Sequence, residues 1–234
     1  MITERKKFLH SLVFPTFFLF VLWSIKFIEI FLNTNFHKLG IYPLKTEGLI
    51  GIIFAPLIHS NLNHLISNSI SLYVLMIGVF YFYSRVSYRV FIFSYLITGF
   101  WVWVSARPAY HIGASGLIYA FGAFLITSGI LKKDKRLMAL SFIVIFIYGS
   151  MIWGVFPNKP NISWESHLLG MFSGILLAVF YKKEPLPWVE KVKIFKFEQY
   201  YTDDFWNKPY NEPNTTTNNT INYQMKEKED EEKE

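Results

Sequence analysis

Six stretches, near residues 11–32, 63–83, 88–105, 113–131, 136–154 and 163–181, are long and apolar enough to cross a bilayer. About 30 Å of hydrocarbon takes roughly 17–25 helical residues. Such segments read as transmembrane helices. Charge falls mostly in short clusters between the runs. Of 23 Lys/Arg and 17 Asp/Glu, residues 182–234 hold 9 and 12, leaving 14 and 5 for the first 181 residues. This pattern excludes a water-soluble globular domain, and the absence of cysteine excludes a secreted disulfide scaffold. An isoelectric point near 9.3 suggests nucleic acid at first sight, but basic clusters bordering apolar runs are a topology signal, so no nucleic-acid partner is expected. The expected fold is an all-α polytopic membrane protein of six transmembrane helices, residues 1–181, followed by a cytoplasmic tail, residues 182–234.

The basic residues orient it. With the N-terminus inside, Arg5, Lys6, Lys7, Arg85, Arg89, Lys132, Lys133, Lys135, Arg136, Lys182 and Lys183 fall on the cytoplasmic side. Only Lys38, Lys45, Arg107 and Lys159 fall outside, so both termini are expected in the cytoplasm. The first run is too long for a signal-peptide core and lacks a small-residue cleavage site, so it reads as a mature span. Lys26 and Glu29, three residues apart near its end, are placed to pair. Residues 33–62 form a long outer loop whose apolar stretch Gly48–Ile58, broken by Pro56, is too short to span and reads as a re-entrant or interfacial element. After residue 181, Pro185 and Pro187 end the last helix. Val189–Phe197 alternates as an interfacial segment would, and the Asn/Thr-rich and highly charged remainder is too poor in apolar surface to order itself.

Polar groups at membrane depth are costly and call for a reason. Three clusters stand out: His59-Ser-Asn-Leu-Asn-His64-Leu-Ile-Ser-Asn68 at the start of the second span, Gly113-Ala114-Ser115-Gly116 with Tyr119 at the start of the fourth, and Trp164-Glu165-Ser166-His167 with Gly170 and Gly174 in the sixth. All three spans begin at the outer side, so their polar ends lie at one depth and can converge. Ser115 is a candidate nucleophile and His167 the base that would take its proton. His64 and Asn68, four apart, share a helix face from which both can donate to an oxyanion. Gly113 and Gly116 allow close approach beside Ser115. Gly170 and Gly174 form a small-residue seam for packing against the fourth span. Tyr119, one turn below Ser115, is placed to stack on His167.

Gly113-Ala-Ser115-Gly116, with His59, His64 and Asn68 earlier and His167 with Gly170 on the last span, resembles the rhomboid family of intramembrane serine proteases in its six-helix bacterial form. The resemblance covers residues 8–181. It implies a Ser115/His167 catalytic dyad, with His64, Asn68 and the Ser115 amide holding the oxyanion and His59 in the supporting network. It also implies that single-span membrane proteins are cut near the outer membrane face, with membrane lipid as the surroundings and no cofactor or metal. The first loop lacks the Trp-Arg pair common in the family, so no loop role is carried over. The six-span layout points to a bacterial plasma membrane.

Other chemistries fit less well. His59 and His64, five apart, do not share a helix face, and no H-E-x-x-H zinc motif occurs. Glu165, two residues from His167 on a helix, points away from it and makes no triad. That leaves the imidazole to be oriented by packing and Tyr119 alone. His10, His37 and His111, at borders or in loops, read as solvated rather than catalytic, with lining of the entrance the lesser alternative for His111, four residues before Ser115. An aspartyl protease is excluded because Asp134, Asp203, Asp204 and Asp230 all lie in a loop or the tail. A transporter is disfavoured by the lack of an inverted repeat. The rival reading is a catalytically inactive rhomboid-like protein that binds membrane clients.

Overall fold

Seven α-helices make up most of the computed structural model, which describes residues 4–157 and 162–188. They are α1 (Glu4–Phe31), α2 (Gly51–Phe54), α3 (Leu62–Phe82), α4 (Ser87–Ser105), α5 (Ser115–Lys132), α6 (Lys135–Tyr148) and α7 (Trp164–Phe180). Six helical segments among the described residues are long and apolar enough to span, α6 being extended by a 3-10 stretch to Val155 and α7 by one to Lys183. No strand is present among the described residues, only an isolated bridge between Ile41 and His111. The chain is a multi-pass integral membrane protein. It divides into two units, residues 1–191 and 192–234, and all seven helices belong to the first. The expected interfacial segment Val189–Phe197 and the charged tail lie outside the described residues.

The short apolar stretch of the first loop is a run of helical turns from Thr46 to Leu57, with Pro56 in its final 3-10 turn. It lies against α4: Ile52 packs on Gly99, and the Tyr95 hydroxyl donates to the Ile53 carbonyl. The loop ahead of it is pinned by the two backbone hydrogen bonds exchanged between Ile41 and His111, 3.0 and 2.8 Å.

The site is set by how α5 and α7 meet, the most extensive helix interface among the described residues. A β-carbon on Gly170 would collide with the Gly116 carbonyl oxygen, and one on Gly174 would collide with that of Ala120. The two backbones therefore touch, as the seam expected from Gly170 and Gly174 requires. Thr98 of α4 and Ser173 of α7 join side chains at 2.9 Å, and Ser173 also donates to the Gly170 carbonyl. At the other end of the bundle, Lys132 of α5 donates to the carbonyls of Tyr181, Lys182 and Glu184, satisfying the acceptors that the end of α7 leaves open.

The aromatic richness has a local use. Phe14 of α1 packs on Phe80, Tyr88 and Phe91 with ring centroids 4.8–5.2 Å apart, so rings rather than small residues fill the space between α1, α3 and α4. Others, including Phe31, Phe146 and Phe180, are exposed on the outside of the bundle, where lipid is the solvent.

Candidate active site

Ser115 opens α5, so its amide is among the four that no intrahelical carbonyl can satisfy. The chain reaches it through Gly113, whose φ of +104° is a backbone conformation that glycine tolerates and other residues do not. A β-carbon there would also lie 2.8 Å from His64 Cε1, 3.1 Å from His64 Nε2 and 3.5 Å from Asn68 Nδ2. The two side chains thus face the turn that presents Ser115. Asn68 is buried, and its Nδ2 has no hydrogen-bond partner among the described residues. A buried amide donor left unpaired beside a serine is expensive unless something arrives to accept from it.

His167, on α7, brings its Nε2 to 2.8 Å from Ser115 Oγ. Its Nδ1 lies 2.8 Å from the Gly154 carbonyl oxygen. A carbonyl only accepts, so Nδ1 carries the ring proton, and Nε2 is left as the acceptor for the serine O–H. The Tyr119 ring stacks on the imidazole with centroids 4.3 Å apart and planes 11° apart, and its hydroxyl donates to the Met151 carbonyl at 2.6 Å. Packing and Tyr119 are therefore not alone in orienting His167. The expectation that they would be is corrected by Gly154, whose carbonyl fills the place a carboxylate has in a triad. Glycine is needed there, because a β-carbon would collide with the Tyr119 hydroxyl.

The remaining polar residues form a frame. His59 is buried just ahead of α3, stacks edge-on against His64 at 5.1 Å, and accepts a long 3.4 Å bond from the Ala114 amide at Nε2. Burial, and then the neighbouring His64, push its pKa down from 6.5 to about 3, which keeps the ring neutral and able to accept. Lys26 and Glu29 do pair, at 3.0 Å, and Lys26 also donates to the His59 carbonyl at 2.9 Å. Glu165 turns away from His167 and pairs with Arg107 at 3.5 Å.

His111 corrects the expectation of a solvated loop residue: it is only 2% exposed. Its Nε2–H donates to the Arg107 carbonyl at 3.1 Å, and its Nδ1 accepts from Ser163 Oγ at 2.5 Å. Desolvation lowers its pKa, opposed by the Arg107 carbonyl and the Glu165 carboxylate. The bridge to Ile41 and the link to Ser163 draw it into the wall, and neither partner is near it in sequence.

Ser115, His167, His64, Asn68, Tyr119 and His111 all line one open cavity of ≈ 890 Å³. Gly116, Gly170 and Gly174 stay behind it in the α5–α7 seam. No group of three His, Cys, Asp or Glu among the described residues is arranged to hold a metal ion.

The Rhomboid domain matches residues 46–184, which takes in every side chain named at this cavity. The chain belongs to the rhomboid family. An uncharacterized protein of Mycobacterium tuberculosis (strain ATCC 25618 / H37Rv) is 34% identical over 172 residues, 69% of this chain and 71% of its own. An uncharacterized protein of Mycobacterium leprae (strain TN) is 32% identical over 172 residues, 69% and 67% of the two chains. A protein of Acanthamoeba polyphaga mimivirus, whose name assigns it provisionally to the rhomboids, is 27% identical over 157 residues, 65% of this chain and 84% of its own. Rhomboids are generally intramembrane serine proteases, which makes the Ser115–His167 contact the first place to look for chemistry in this one.

Proposed function

We propose that this rhomboid is an intramembrane serine endopeptidase that cuts single-span membrane proteins near the outer membrane face. The observation that carries the reading is the 2.8 Å contact between Ser115 Oγ and a His167 Nε2 kept free of its proton by Gly154. As Oγ attacks the scissile carbonyl carbon, its proton passes to Nε2, and the carbonyl π pair moves onto oxygen. His64, Asn68 and the Ser115 amide are the donors for that oxygen. Collapse of the tetrahedral species breaks the C–N bond, with the Nε2 proton going to the leaving amine. Water entering the cavity then hydrolyses the acyl-enzyme by the same proton path. Every proton in this sequence is moved by the serine, the imidazole and water, so no cofactor is required.

The basic residues favour both termini in the cytoplasm, which puts the cavity at the outer face, and the six-span layout favours a bacterial plasma membrane. Reconstituted in liposomes with a single-span model substrate, wild type is expected to cleave, while Ser115→Ala and His167→Ala are not. Equal cleavage by all three would overturn the reading.

A further inference from the structure

His64 has to present an N–H to an oxyanion, and a neutral imidazole carries only one. Which nitrogen holds it is set by the partner of the other. Nothing in the sequence singles out Ser60, which lies outside the helices. The structure puts its Oγ 3.2 Å from His64 Nδ1.

Asn61 favours one direction for that bond. Its Oδ1 accepts the His64 amide at 2.9 Å, capping α3, and this fixes the side-chain amide so that Nδ2 faces Ser60 Oγ at 3.4 Å. The serine oxygen thus accepts from Asn61 and has one proton to give. His64 Nδ1 is the acceptor within reach. With Nδ1 accepting, the ring proton sits on Nε2, the nitrogen that lies 3.1 Å from where a Gly113 β-carbon would stand, on the side of the turn presenting Ser115.

The peptide bearing Ser60 is itself braced. Lys26 donates to the His59 carbonyl at 2.9 Å and reaches the Ser60 carbonyl at 3.5 Å, while its partner Glu29 accepts the Phe36 amide at 2.8 Å. A largely buried ion pair gains little stability by itself, because the desolvation of two charges offsets their attraction. Here it ties α1 to the segment that aims His64.

We propose that Ser60 is a positioning residue that holds His64 in its Nε2–H form, with that N–H directed at the oxyanion. Two of the imidazoles lining the cavity are then locked in opposite tautomers, His167 accepting from the nucleophile and His64 donating to the charge that develops. The proposal rests on His64 as an oxyanion donor, and its test is independent of turnover.

The experiment is 15N NMR of the full chain labelled at histidine, in detergent, with His64→Gln used to assign the His64 resonances. Wild type and Ser60→Thr are expected to show His64 protonated at Nε2 alone, and Ser60→Ala a mixture of tautomers. Alongside, Ser60→Ala is expected to lower kcat by about 3–10-fold, the scale of one hydrogen bond, with KM and thermal stability unchanged and Ser60→Thr restoring the rate. A His64 protonated at Nδ1 in wild type, or a tautomer indifferent to Ser60→Ala, overturns the proposal. If wild type does not cleave at all, the protease reading falls, while the nitrogen shifts still decide this one.

Discussion

Of the three serine–histidine contacts that line the cavity, two are short, and only one of those two has the surroundings of a nucleophile and its base. Ser115 and His167 meet at 2.8 Å, and Ser163 and His111 at 2.5 Å. In each, a backbone carbonyl holds the far ring nitrogen, Gly154 for His167 and Arg107 for His111. A short hydrogen bond and a fixed tautomer are therefore not what separates them. The neighbours are. Ser115 opens a spanning helix, with Asn68 Nδ2 buried and unpaired nearby and His64 across the Gly113 turn. Ser163 is already engaged with Ser166 at 2.6 Å, and the carboxylate of Glu165, which lies between those two serines in the chain, acts on His111. An oxyanion forming at Ser115 would meet donors, whereas the Ser163 hydroxyl is already shared with Ser166. The second pair reads as a clasp between the α4–α5 loop and the start of α7.

Variants at the two pairs separate these roles. The largest effect is expected at the first pair: Ser115→Ala or His167→Ala should reduce cleavage by about 10⁴-fold or more, as loss of a nucleophile or its base does elsewhere. Next comes the oxyanion side, where Asn68→Ala should lower kcat by about 10²–10³-fold without unfolding the protein, measured as kcat beside a thermal melt. Tyr119→Ala removes the stack on His167 and should cost about 3–10-fold in kcat, on the scale of one aromatic contact. Ser163→Ala and His111→Ala should change the rate by no more than about threefold, since a clasp contributes on the scale of one net hydrogen bond or less. A loss at Ser163 as large as that at Ser115 would erase the distinction between the pairs.

The frame adds a dependence on pH. His59 is held neutral in the folded protein, whereas an unfolded chain binds a proton there below about pH 6.5. Between that pH and about 3 the unfolded state carries the extra proton, so acidification favours unfolding, by up to about 1.4 kcal/mol per pH unit from this group. Thermal melts at pH 7.5 and 5 should show the loss, and His59→Asn should lessen it.

Much of this was legible in the sequence because the bilayer enforces simple rules. Six apolar runs had to be helices, and polar groups at their ends had to have a reason. The approach of Gly170 to Gly116, the stack of Tyr119 on His167 and the pairing of Lys26 with Glu29 all follow from helical spacing, which places residues three and four apart on one face. What the sequence hid lies outside the helical lattice. Gly154 acts through its carbonyl, which no residue type announces, and the only trace is a glycine where the 3-10 stretch passes Tyr119. His111 reads as a loop residue because its burial depends on Ile41 and Ser163, distant in the chain. Ser60 precedes α3 and gains its role from the cap that Asn61 makes.

One serine in this cavity, Ser115, is expected to be activated. Labelling with a fluorophosphonate probe, followed by peptide mass spectrometry, tests it directly. The label is expected on Ser115 alone, and is expected to vanish in Ser115→Ala and in His167→Ala while surviving Ser163→Ala. Label on Ser163, or label that persists in Ser115→Ala, would show that Ser115 is not the activated serine.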